Sequence, residues 1–191
     1  MSDARATVLV TWPDWVNETV AFGTRYTTDD DRMRLAIELA RQNVVRRTGG
    51  PFGAAIFERS TGTLLSVGVN SVVRLNNSTL HAEMLAITMA QHRIGSYTLA
   101  GSESASYELF SSCDPCAMCL GGILWSGLRR LVTGADRDDA TALGFEEGPV
   151  FPESYTYLQE RGVAITRSVL RREAADVLEL YRRQGGQIYN A

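Results

Sequence analysis

Four residues in two short stretches have the types and spacing to do chemistry together. His81 and Glu83 lie in His81-Ala82-Glu83, and Cys116 and Cys119 in Pro115-Cys116-Ala117-Met118-Cys119. Cysteines three apart at a helix start share one face. A helix N-terminus and a divalent cation both lower thiol pKa, so both sulfurs can be thiolates. With one imidazole they form a three-ligand set that suits zinc, leaving the fourth tetrahedral position to water. A structural site needs a fourth protein ligand, and Cys113 and His92 are the spare candidates. His92 is about three turns along its helix from His81, roughly 16 Å, too far to share one metal. Cys113 lies where a strand leaves the sheet, and its side chain need not face the metal. A closed Cys-Cys-Cys-His site therefore stays open as an alternative.

Glu83 weighs against that alternative. Taken alone, a glutamate near a helix start serves the helix dipole. Two residues past His81, however, it can stand beside the open coordination position without being a ligand. Zinc brings the pKa of bound water toward 7, and a neighbouring carboxylate can take that proton and pass it to a leaving amine.

The elements that must position these groups follow from patterning. Residues 1–28 carry Trp12, Pro13, Trp15 and Phe22 with little periodicity and read as an N-terminal arm laid over the domain or a second subunit. Asp29-Asp30-Asp31 opens a helix with an apolar stripe through Met33, Ile37, Ala40 and Val44, expected to stop near Thr48 before Gly49-Gly50-Pro51. Residues 52–58 and 64–70 read as a hairpin around Ser60-Thr61-Gly62, and 71–80 as a polar loop. A buried helix is expected over 81–94, a strand over 107–111, and a helix to Trp125 with Pro115 in its first turn. Then follow a strand over 128–133 closed by Gly134, a short helix over 136–143, a helix over 155–161, a strand over 163–166 and an amphipathic helix over 171–183. This alternation predicts an α/β fold, a three-layer αβα sandwich around a central mixed five-stranded sheet.

Bulk properties narrow the classes. A chain of 191 residues suits one domain with an arm or two. Its net charge of -3 argues against holding a long nucleic acid by its phosphates. All 19 basic residues are arginine, scattered among acids, which reads as compositional bias rather than an anion site. Met1 to Val10 has no apolar run of the secretory kind, and no stretch reaches the roughly 18 apolar residues a membrane helix needs. Three cysteines crowded into 113–119 suit metal chemistry in a reducing cytoplasm better than disulfides.

The His-x-Glu and Pro-Cys-x-x-Cys pair is the signature of zinc nucleobase deaminases. From Asp29 to Asn190 the sequence resembles the cytidine-deaminase-like superfamily, and within it the small bacterial guanine deaminases. Gly50-Pro51-Phe52-Gly53-Ala54-Ala55, Val69-Asn70, Cys116-Ala117-Met118-Cys119-Leu120-Gly121 and Gly144-Phe145-Glu146-Glu147-Gly148-Pro149 carry the likeness. Asp114 departs from the glutamate common before the proline, which bears on loop geometry only.

The resemblance implies that His81, Cys116 and Cys119 bind one zinc and that Glu83 shuttles protons. It also implies that Asn70 hydrogen-bonds a purine, that Phe52 and Phe145 flank the base, and that Glu147 is a second catalytic carboxylate. An ionised carboxylate is acceptor-only and matches the adjacent N1–H and 2-amino donors of guanine. The expected activity is hydrolysis of guanine to xanthine and ammonia. Guanosine, cytidine, ammeline or tRNA adenosine are alternative substrates, and a non-catalytic zinc-binding module is the alternative of another class. The expected partners are a small-molecule nucleobase and a second copy of the chain in a homodimer, with no nucleic acid and no membrane. Residues 29–183 would form the deaminase domain. The tail 184–191, hinged at Gly185-Gly186 and ending in Tyr189-Asn190, would close its own site or its partner's. Trp125 would line the pocket or the dimer interface.

Overall fold

A computed structural model describes residues 7–101 and 106–189. Strands β1 (Gly53–Glu58), β2 (Leu64–Val69), β3 (Tyr107–Cys113), β4 (Arg130–Ala135) and β5 (Ala164–Thr166) form one sheet in the order β2-β1-β3-β4-β5. β1 runs antiparallel to β2 and β3, whereas β3, β4 and β5 are parallel. The sheet is thus mixed, as expected, and helices cover both faces.

Period-two alternation divides the sheet into two cores. Ala55, Phe57, Phe110 and Val132 face a core shared with α2 (Asp29–Val45) and α8 (Arg171–Arg183). Ala54, Ile56, Leu109 and Leu131 face the other, shared with α4 (Ala82–Ile94) and α5 (Ala117–Ser126). Burial on both faces explains why β1 reads as a continuous apolar run rather than an alternating one. Gly68 is where α4 seats on the sheet. A Cβ there would collide with the Ala82 carbonyl in the first turn of α4, so glycine sets how closely His81 and Glu83 approach the strands.

Several local expectations are corrected. The arm contains a helix, α1 (Asp14–Thr19), and packs on this same domain. The Trp12 indole donates to the Val67 carbonyl at 2.7 Å, the Trp15 indole donates to Thr48 Oγ1 at 3.1 Å, and Trp15 is buried. The polar loop after β2 contains one helical turn, α3 (Val72–Leu75), closed by Asn76 in the left-handed region. Cys116 rather than Pro115 starts α5 as its N-cap, so Pro115 precedes the helix. Gly134 lies inside β4 instead of closing it. The two short helices expected over 136–143 and 155–161 are present as α6 (Arg137–Thr141) and α7 (Pro152–Glu160), the latter starting three residues earlier, and they flank the loop that carries Phe145 and Glu147. No helix among the described residues is long and apolar enough to cross a membrane.

Candidate metal centre and pocket

Two helix N-termini converge beyond the C-terminal ends of β3 and β4. His81 is the N-cap of α4 and Cys116 the N-cap of α5. Both have extended backbones, and neither side chain caps its own helix, so both can turn toward a shared point. Cys119 follows one turn inside α5, and Glu83 sits in the first turn of α4. The partial positive charge of both helix ends favours anionic groups here.

The ligand atoms of His81, Cys116 and Cys119 all lie within 4.8 Å of one another. Cys116 Sγ and His81 Nδ1 are 3.5 Å apart. With zinc–sulfur and zinc–nitrogen bonds of usual length, a tetrahedral site would separate two such ligands by about 3.6 Å. Donor chemistry and spacing therefore fit zinc. Cys113 does not join them. Its thiol is buried and donates to the Asp136 carbonyl at 3.7 Å, which removes the fourth protein ligand of a closed site.

The neighbouring Cys119 thiol and His81 hold the Cys116 pKa at about 4, while Cys119 is pushed well up by its contact with Cys116 and by burial. Glu83 is buried. Ser111 Oγ donates to its Oε1 at 3.0 Å, and Cys119 Sγ lies 3.5 Å from its Oε2. Burial, then the Cys116 charge, raises its pKa. Glu147 is buried too, and desolvation, Cys116 and Glu83 bring it up to about 7.

A pocket of about 290 Å³ opens on this centre, lined by His81, Glu83, Cys116, Phe52, Phe145, Glu147 and Tyr189 among others. Phe52 and Phe145 meet edge to face with centroids 5.0 Å apart. They form one wall rather than opposite jaws around a base. Asn70 is buried at the end of β2. Its Oδ1 accepts from Val72 N at 3.4 Å, while its Nδ2 has no partner. Its carbonyl is held by Asn43 Nδ2 at 2.9 Å. Trp125 is 84% exposed and does not line the pocket.

The sequence puts Tyr189 in a tail expected to close its own site or its partner's. It enters the pocket of its own chain, packing on Phe145 at 5.3 Å with its hydroxyl buried and unpartnered. A Cβ at Gly50 would collide with that hydroxyl, so the Gly49-Gly50 stop signal also makes room for the tail. Asn190 lies outside the described residues. Two contributors had no signal in the motifs. Ser111 reads as a strand residue, and Arg137 holds the loop around Glu147 through its guanidinium.

Residues 26–135 match the model of the cytidine and deoxycytidylate deaminase zinc-binding region. A guanine deaminase of Bacillus subtilis is 34% identical over 131 residues, which is 69% of this chain and 80% of the relative. A tRNA-specific adenosine deaminase of Buchnera aphidicola is 30% identical over 128 residues, 67% of this chain and 77% of the relative. The solved structure of a guanine deaminase from Nitrosomonas europaea superposes with a TM-score of 0.88 at 35% identity, covering 93% of this chain and 97% of that one.

Proposed function

We propose that this chain, which belongs to the cytidine and deoxycytidylate deaminase zinc-binding family, hydrolyses guanine to xanthine and ammonia. The observation that carries the choice of substrate is the fold-wide likeness to a guanine deaminase, which spans nearly the whole chain. A purine-sized pocket bearing a second buried carboxylate, Glu147, supports it.

His81, Cys116 and Cys119 would hold the zinc, which when bound lowers the pKa of water toward 7. Glu83 is the proton carrier. One oxygen takes the proton of the attacking water, delivers it to a ring nitrogen, and a later transfer lets ammonia leave. Ser111 keeps Glu83 oriented, and burial keeps its carboxyl above the usual range, closer to the pH at which it must both accept and donate. Glu147 accepts from the N1–H and amino edge of the base. The unpartnered Asn70 amide donates to a ring acceptor, and the Phe52–Phe145 wall supports one face. Tyr189 excludes water from the pocket of its own chain. The reading includes a homodimer, for which exposed Trp125 offers apolar surface, and a cytoplasmic setting where the thiols stay reduced.

The test is ammonia release by zinc-loaded protein from guanine, guanosine, cytidine, ammeline and adenosine. Guanine should give equimolar xanthine and ammonia and be the best of the five. No ammonia from guanine would overturn the reading, and efficient adenosine turnover would move the chain toward the tRNA-type relatives.

A further inference from the structure

The segment 144–150 supplies Phe145 and Glu147 to the pocket, yet it belongs to no helix or strand. Such a loop keeps many conformations unless its backbone groups are tied down. Arg137, the first residue of α6, ties it. Its Nη1 donates to the Val150 carbonyl at 2.8 Å and its Nη2 to the Gly148 carbonyl at 2.9 Å. A planar guanidinium can serve two carbonyls at once, which a lysine ammonium matches poorly.

The backbone of Arg137 is fastened in the other direction. Its N–H donates to Asp114 Oδ2 at 3.3 Å, and Asp114 lies two residues before Cys116. Asp114 is itself held by Thr133 Oγ1 at 2.6 Å and by the Arg167 guanidinium. One residue thus joins the segment that presents the metal ligands to the segment that presents the recognition groups. A second tie runs from Ala117 N, at the start of α5, to the Glu147 carbonyl at 3.0 Å. Stabilising α6 does not account for these bonds. The start of α6 is closed by Asp139 Oδ2 accepting from Asp136 N at 2.9 Å, whereas both guanidinium bonds of Arg137 go to the loop.

We propose that Arg137 is a positioning residue for substrate recognition. Its guanidinium sets the offset of Glu147 and Phe145 from the His81–Cys116–Cys119 centre. The kinetic side of this role rests on the guanine deaminase reading, and the mechanical side does not. Loss of the clamp should weaken binding held equally in the ground and transition states, raising KM more than it lowers kcat.

The experiment compares the zinc-loaded full chain with Arg137→Ala and Arg137→Lys. Arg137→Ala should raise KM for guanine about tenfold and lower kcat less than about threefold. It should keep one zinc per chain and speed deuterium uptake selectively at amides of Phe145 to Val150. Arg137→Lys should fold in either case and recover part of both effects. Unchanged exchange in that segment overturns the proposal, as does a fall in kcat at constant KM. If the unmodified protein does not turn over guanine, the functional reading fails while the exchange data still decide whether Arg137 holds the loop.

Discussion

Strand β3 runs between buried acids at its two ends, and Glu108 at one end is held differently from Glu83 and Glu147 at the other. Glu108, 1% exposed near the start of the strand, accepts from Arg32 and, at 3.0 Å, from Arg130. Arg130 also reaches Asp29, and Arg32 also donates to the Tyr26 carbonyl at 3.0 and 3.1 Å. At the other end, Glu83 is 6% exposed and Glu147 8%. The neighbours of Glu83 there are a hydroxyl, a thiol and an imidazole. The difference is one of completeness. A buried carboxylate supplied with guanidinium partners is a brace whose parts satisfy one another. Carboxylates buried without such partners are costly, and that cost makes sense where a metal and a substrate complete the site.

The largest effect should come from Glu83. Glu83→Gln keeps shape and the Ser111 contact but cannot accept a proton. Turnover of guanine should fall by about 10²–10⁴-fold with zinc content unchanged. Thermal stability should stay level or rise, because a carboxylate that burial disfavours is gone. Kinetics, metal analysis and a melting curve on one preparation test this. Retention of more than a tenth of the activity would show that Glu83 is not the proton carrier.

Glu108→Gln should do the reverse. Removing one member of a buried ionic cluster strands the others and costs about 3 kcal/mol, the low end of the usual range because Arg32 and Arg130 keep other partners. For a domain of this size that is a fall in Tm of about 6–12 °C. Turnover per folded molecule should stay within about twofold. A variant that melted normally and lost kcat would erase the distinction between the two ends of β3.

The contrast between the ends also explains what could be read from sequence. The metal centre was legible because all three ligands are chemically rare and two of them are close in sequence: the Cys116–Cys119 spacing states one helix face by itself, and His81 comes with Glu83 in a short motif. The α8 bounds followed from an amphipathic period sustained over Arg171–Arg183. The brace was not legible, because Glu108 meets Arg32 from far back in the chain, and a charged residue beginning a strand looks like one that faces water. α3 is a single turn, too short for any period to show. Phe52 and Phe145 were matched by motif, but motif carries no ring orientation, so their mutual edge-to-face contact had to come from coordinates. Arg137 carries no sequence signal for a related reason. Its partners are backbone carbonyls, which leave no mark in side-chain patterning.

The smallest effect belongs to the outer rim of the brace, and pH should reveal it. Asp29 is paired to Arg130 with partial exposure, and that hydrogen bond holds its pKa below the ordinary value. A solvent-screened pair of this kind is worth only about 0.2–1 kcal/mol. A carboxyl with a depressed folded pKa contributes stability that is complete above its unfolded pKa, about 3.9, and is lost as pH falls through the folded value. Urea midpoints of the unmodified protein and Asp29→Asn should therefore differ by a small, constant amount between about pH 6 and 8. They should draw together below about pH 4, as Asp29 takes up the proton that makes it as neutral as asparagine. A gap that persisted or widened in acid would mean that Asp29 acts by packing rather than by charge. The cationic side of the brace would then rest on Glu108 alone.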